Sequence, residues 1–337
     1  MSKILFIGGP GNISTSAVQE LLDRNHEVAI FTLPESPDKG MGKSVKFYRG
    51  NRNDSKEIQA ALDDFKPELT ADVCCFTPEQ AEGLVSVLRD KVQKHVFVST
   101  CDVYGYPLKR IPFRESDPFN KTVSEYATNK MKCETIFQAE HEKGSIPLAV
   151  ARPSYSFGPP FVLNFFSRFG GLELMARLRA GKKVVVPGDG RTLAHPSSAY
   201  NTGRMIAEII LDPRTAGEGF TCGHEIYMVA DEYYQLFARA LGVEAHIVHI
   251  PKDLLFPLEK KLIPDDLLSE LTGFHVAFSE DKFKSFFPDF AWKKSLDQAA
   301  QEYVEFHDKA GDIPPFEENY EDRLIEAWNN CKQRFNP

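Results

Sequence analysis

Short apolar runs alternate with helix-period stripes through the first half of the chain, and this alternation constrains the fold more than any other feature. Ile4–Ile7 is an apolar run closed by Gly8-Gly9, and Ala17, Val18, Leu21 and Leu22 follow at helical spacing until about Asn25. Val28–Phe31, Val45–Tyr48, Val73–Phe76, Val96–Val98 and Leu148–Ala151 read as further strands. Helical stretches near 58–65, 79–88 and 124–140 stand between them. Strands separated by helices need crossover connections, so the expected class is α/β, a Rossmann-type doubly wound parallel sheet with helices on both faces. After Pro153 the rhythm breaks at Pro159-Pro160, Gly170-Gly171 and Pro187-Gly188-Asp189-Gly190, with helical stripes at 172–178, 205–211 and 233–241. The expected division is a dinucleotide-binding domain over 1–155, with contributions from about 195–230, and a smaller C-terminal substrate lobe made mainly of 156–337. A ligand then belongs beyond the carboxyl ends of the strands.

Composition narrows the classes of partner. With 40 Lys and Arg against 48 Asp and Glu the net charge is −8, which disfavours nucleic acid as a principal ligand. No apolar run approaches the ~20 residues of a membrane span, and Met1-Ser2-Lys3 leads straight into the first strand without a cleavage site. Cys74, Cys75, Cys101, Cys133, Cys222 and Cys331 show no CxxC spacing and read as buried thiols in a reducing cytoplasm. The expected location is therefore cytoplasmic, without membrane partners. The nine histidines form no HxxxH or HxH pattern, and His246 and His249 fall on opposite faces of a strand, so no metal site is expected. The aromatic run Phe278, Phe283, Phe286, Phe287, Phe290 and Trp292 reads as core of the second lobe. Leu324, Ile325 and Trp328 mark a C-terminal docking helix.

Directly after the first strand stands Gly8-Gly9-Pro10-Gly11-Asn12-Ile13-Ser14. A glycine turn followed by a helix offers free N–H groups and a positive dipole end to a pyrophosphate. Gly8 suits the turn, Gly11 lets the anion approach the backbone, and Ser14 stands where a third glycine is usual. NAD or NADP is the implied cofactor. Thr32, at the end of the second strand, is neither acid nor base, while Lys39, Lys43 and Arg52 could supply positive charge. With no carboxylate at that strand end, NADP is narrowly preferred.

Tyr126 and Lys130 lie four apart on one helical face, and Thr100 ends the strand Val96–Val98. Hydride transfer at a carbinol requires a group that exchanges the hydroxyl proton. A tyrosine beside an ammonium fits that role, because the positive charge favours phenolate.

These pieces resemble the short-chain dehydrogenase/reductase superfamily in its extended or atypical branch of NAD-dependent epimerase/dehydratase-like proteins. The matching stretches are the Gly8–Ser14 loop, Gly50–Asp54, Val98–Gly105, Tyr126–Lys130, and Arg152-Pro153 with Gly158-Pro159; weaker matches are Gly188–Gly190 and Gly217–Phe220. The resemblance implies an oxidoreductase or epimerase acting at a secondary alcohol or ketone of a sugar-like or other small polar substrate. Within it Thr100 holds the reacting oxygen, Tyr126 is the acid/base, and Lys130 binds the nicotinamide ribose and tunes the tyrosine. Gly8, Gly11 and Ile13 match the pyrophosphate loop, Asn51 stands where an aspartate near the adenine is frequent, and Pro153 begins the segment beside the nicotinamide; Asn12, Thr32 and Arg52 join them as candidate cofactor contacts.

Departures from the pattern limit what carries over. The arginine that follows the Gly-Asp-Gly turn in sugar-nucleotide enzymes falls near Ala194, with Arg191 and His195 as the available substitutes, which counts against a nucleoside-diphosphate sugar. Dehydratases place an Asp-Glu pair where this chain has Cys101-Asp102, a doubtful set for elimination. Some atypical relatives, the chloroplast stem-loop-binding proteins, are associated with RNA, so a dinucleotide-binding regulatory or RNA-associated protein without turnover is the alternative. A homodimer through the YxxxK helix is open to the chain; Met131 and Phe137 could support it or could equally face the sheet.

Overall fold

The structure, a computed structural model, describes residues 1–159 and 161–335, so Pro160 of the Pro159-Pro160 break lies outside it. Strand β1 (Lys3–Ile7) pairs in parallel with β2 (Glu27–Thr32) on one side and β4 (Leu69–Asp72) on the other. β3 (Lys46–Arg49) lies outside β2, while β5 (Lys94–Val98), β6 (Leu148–Pro153) and the strand Gly219–Cys222 continue past β4. All seven strands are parallel, as expected of a doubly wound sheet. Ile4, Leu5, Phe6 and Ile7 are fully buried, because a central parallel strand is covered on both faces. The direction of strand addition reverses between β1 and β4, and a crevice opens there at the carboxyl ends. Ile7 is in register with Asp72, and Asp72 with Phe97, so the loops that leave β1, β4 and β5 start side by side.

Helices α1 (Ser14–Asp23) and Ala199–Leu211 cover one face through Ala17, Val18, Leu21, Ile206 and Ile210. Helices α2 (Ser55–Phe65), α3 (Pro78–Leu88) and α4 (Glu125–Glu142) cover the other through Ile58, Leu62, Leu84, Leu88, Cys133 and Phe137. Phe137 is buried against the sheet, its ring centre 4.8 Å from that of His95 and 5.1 Å from that of Phe97, which is the sheet-facing one of its two open placements.

Two other expectations fail for identifiable reasons. The fourth strand is Leu69–Asp72, not the more apolar Val73–Phe76 that follows it. Its polar residues are buried yet paired: Thr70 Oγ1 lies 2.9 Å from His95 Nδ1, and Asp72 holds Arg52 at 3.0 Å. Satisfied polar groups let a strand run through a core that its polarity would otherwise exclude. The aromatic run from Phe283 to Trp292 is not core of the second lobe. Phe220, on the edge strand of the main sheet, meets Phe286 at 5.0 Å, and the run closes that face of the sheet.

The second lobe has its own core. Lys183–Pro187 pairs in parallel with His246–Ile250, and helices Gly171–Arg179, Ala230–Ala240, Leu296–Ala310 and Tyr320–Phe335 surround the pair. Tyr320, Leu324 and Ile325 dock the last helix on this core, as their spacing predicts. Beside them Glu321 is buried, and its carboxylate accepts the Val185 N–H at 2.9 Å. Burial raises its pKa to about 7, with Arg177 opposing. Because the folded-state value lies above the unfolded one, the stability this group contributes is complete below about pH 4.5. It is lost as the pH rises through 7. Glu321→Gln is thus expected to gain about 2 kcal/mol over wild type at pH 8 relative to pH 5. Urea unfolding at the two pH values checks this; an equal difference at both would refute it.

Candidate active site

The glycine loop is shaped by its surroundings. Gly8 adopts φ +90°, and a Cβ there would lie 2.5 Å from Cys74 Sγ, so no side chain fits. A Cβ on Gly11 would meet only Ser14 Oγ at 3.5 Å, which leaves the space over this backbone open. Ser14 Oγ accepts the Gly11 N–H at 2.7 Å and fixes the turn. Helix α1 starts without a side-chain cap and without an acidic residue in its first turn, so its positive end is not neutralised locally. Asn12 donates from Nδ2 to the Ser156 carbonyl at 2.9 Å, tying the loop to the segment after β6.

A cavity of about 510 Å³ lies at the carboxyl ends of the strands. Asn12 and Ile13 border it, with Thr100, Tyr126, Lys130 and Pro153. Ser124 caps α4 and places Tyr126 in its first turn, with Lys130 one turn further on. Lys130 is buried and donates from Nζ to the Val98 carbonyl at 2.8 Å, its one hydrogen-bond partner among the described residues. Phe76 and Phe97 flank the ammonium at 4.9 and 4.8 Å, and burial lowers its pKa, with Asp72 opposing. Thr100 caps the short turn Cys101–Tyr104 by accepting the Asp102 N–H at 3.2 Å.

Tyr126 is 36% exposed and lines the same cavity as Thr100. Burial pushes the phenol pKa up and Asp102 adds to the rise; Arg168 gives the strongest opposing pull. The sequence pointed to Lys130 for that effect. In the fold the Lys130 ammonium sits 6.0 Å from the Tyr126 ring centre, while the Arg168 guanidinium lies over the same ring at 5.7 Å.

Sequence reasoning missed Arg168, Ser99 and Ser154, all of which line this cavity. Arg168 contacts Asp102 at 3.6 Å and Glu270 at 2.7 Å, and burial raises the pKa of Asp102. Nothing in Phe166-Ser167-Arg168-Phe169 marks that arginine, since its partners are distant in sequence. Asn12 Oδ1, Ser99 Oγ and Ser154 Oγ are buried and have no hydrogen-bond partner among the described residues. Buried polar atoms are rarely left in that state unless a ligand or water completes them.

The remaining candidates are placed as follows. Thr32 is buried at the end of β2, and Asn51 is exposed, with its N–H held by Glu57 at 2.6 Å. Arg52 is not free. It binds both oxygens of buried Asp72 at 3.1 and 3.0 Å and the Gln80 carbonyl at 3.0 Å. Arg52→Ala leaves a buried carboxylate without its partner and is expected to cost about 3 kcal/mol of stability by chemical denaturation; an unchanged midpoint would show that the pair is not buried in solution. Cys101 donates to the Arg152 carbonyl at 3.0 Å and burial raises its thiol pKa, so it packs rather than reacts. His195 has both ring nitrogens tied to main chain, at His224 O (2.6 Å) and Phe278 N (3.0 Å). Among the described residues no cluster of His, Cys, Asp and Glu could hold a metal ion, and no helix is long and apolar enough to cross a membrane.

Comparison with known proteins follows this geometry. Residues 81–194, from α3 past Tyr126 and Lys130 into the second lobe, match the model of the NAD dependent epimerase/dehydratase family. The chain is 29% identical over 152 residues to a UDP-glucose 4-epimerase of Lactobacillus helveticus, covering 40% of the chain and 46% of the relative. It spans about half the length of the curated relatives it matches. The fold is shared with solved structures over nearly their whole length. A dTDP-glucose 4,6-dehydratase from Bacillus anthracis in complex with NAD matches at TM-score 0.73 and 19% identity, over 93% of this chain and 98% of that one. A UDP-glucose 4-epimerase from Stenotrophomonas maltophila with bound NAD and formylated UDP-arabinopyranose matches at TM-score 0.75 and 16% identity, over 93% of this chain and 100% of that one.

Proposed function

We propose that this chain is an NAD-dependent enzyme acting at a secondary alcohol or ketone of a small polar substrate, by net oxidation–reduction or by transient oxidation as in an epimerase. The observation that carries this reading is the meeting of Tyr126, Thr100 and Lys130 with three unpartnered buried oxygens, from Asn12, Ser99 and Ser154, around one cavity. The residues fit a dinucleotide. The open backbone at Gly11 and the uncapped start of α1 would take the pyrophosphate, and Lys130, with two donors to spare, would take the nicotinamide ribose. When bound, the nicotinamide supplies the hydride acceptor or donor.

Tyr126 takes the proton of a carbinol hydroxyl during oxidation and returns it during reduction. Thr100 holds the substrate oxygen, which orients it towards the phenol. Arg168 brings positive charge to the phenol and opposes the burial that disfavours its ionised form, and the Lys130 ammonium lies 6.0 Å from the centre of the same ring. The relatives are named for reactions at sugar carbinols, which supports this chemistry. NAD is proposed over NADP, because Arg52 is committed to Asp72 and the solved relatives are named with NAD. Mass spectrometry of the dinucleotide retained by the purified chain tests this reading. NAD is the expected result; NADP in excess would reverse the cofactor choice, and no binding of either at millimolar concentration would remove the reading.

A further inference from the structure

We infer that Arg168 holds a carboxylate of the substrate beside the reacting carbinol, so that the cavity serves small hydroxy- or oxo-carboxylates in preference to nucleoside-diphosphate sugars. This rests on the proposed function of the same site and deepens it.

Ala194 stands where a diphosphate-gripping arginine would be expected, and it is a buried strand residue. His195 cannot substitute, because both its ring nitrogens are taken by main chain. Arg191 is exposed and lies outside the cavity. A diphosphate would therefore find no fork of donors in that place.

Arg168 is the one arginine that borders the cavity among the described residues. Glu270 anchors it from one side at 2.7 Å, whereas Asp102 approaches Nη1 only at 3.6 Å. The side chain keeps 26% of its surface open. At 3.6 Å Asp102 stands outside hydrogen-bond distance of the guanidinium, so a substrate anion can compete with it for those donors. Five N–H donors on a planar fork suit a carboxylate at two points while Glu270 keeps its own. Position also matters, because the guanidinium lies 5.7 Å above the Tyr126 ring and an anion held there sits close to the acid/base. The same cavity is also lined by apolar Phe161, Leu163, Phe169 and Leu271, which fit a hydrocarbon body.

The test is calorimetric binding to the NAD-saturated chain of lactate, 3-hydroxybutyrate, mandelate and 3-phenyllactate. Each is compared with its methyl ester and with UDP-glucose. At least one acid is expected to bind about tenfold more tightly than its ester. Arg168→Gln should abolish that preference without changing NAD affinity, and Arg168→Lys should restore part of it; melting curves confirm that both variants fold. No acid bettering its ester, a preference that survives Arg168→Gln, or UDP-glucose binding more tightly than every acid would overturn the inference. The same titrations on the chain without NAD separate the two claims: a chain that takes no dinucleotide removes the proposed function, while the acid-over-ester preference still decides the role of Arg168.

Discussion

Tyr126→Phe is expected to lower kcat/KM by about 10²-fold or more, with NAD affinity unchanged. The substitution removes one oxygen and keeps the ring, which packs against Phe76 and lies beneath the Arg168 guanidinium. Whatever is lost is thus the proton transfer and the hydrogen bond to the reacting oxygen, not the shape of the cavity. Thr100 lines the same cavity and offers a hydroxyl, but it is no acid/base at neutral pH, so it cannot replace the phenol. The wild-type pH profile carries a second part of the expectation. Burial raises the phenol pKa in the free protein, so activity in the oxidation direction should rise with pH as the phenolate forms. The Phe variant should lose that rise. Turnover within a factor of three of wild type on the true substrate would take Tyr126 out of the mechanism.

Gly11→Val is expected to weaken dinucleotide binding by about tenfold or more while leaving thermal stability almost unchanged. A Cβ at Gly11 meets a single atom, Ser14 Oγ, at an ordinary contact distance, so the apo fold accepts it. The branched side chain then fills the space where a pyrophosphate must approach the backbone. Gly8 gives the opposite result. Its positive φ and the 2.5 Å approach of Cys74 Sγ make Gly8→Val a folding defect, seen as a lower melting temperature before any ligand is added. Calorimetry with NAD and a melting curve on both variants separate the two effects. Full NAD affinity in Gly11→Val would mean that the loop is a tight turn and nothing more.

The parallel sheet was legible because burial on both faces imposes continuous apolar runs, and Ile4–Ile7 and Val96–Val98 have no other good explanation. The place of β4 was not, because its buried Thr70 and Asp72 are stabilised by His95 and Arg52, partners that lie 20 or more residues away. Hydropathy alone selects Val73–Phe76 in its place. The same limit misassigned the aromatic run after Phe278: its spacing shows that it is buried, not which surface buries it.

At the candidate site, the residues that share one local segment were readable, since Tyr126 and Lys130 need only helical periodicity to meet. Residues brought in by the second lobe were not. Arg168 acquires its significance from Asp102 and Glu270, one on each side in sequence and both far from it. Arg52 shows the converse, a charge that suggests a phosphate contact in sequence and proves to neutralise a buried aspartate in the fold.

The crystal structure of the chain with NAD bound is the most direct measurement. The account predicts the pyrophosphate over Gly11 and Asn12, the ribose at Lys130, and the nicotinamide ring between Pro153 and the Tyr126 hydroxyl. A dinucleotide seated elsewhere, or a nicotinamide ring beyond the reach of that hydroxyl, would contradict it.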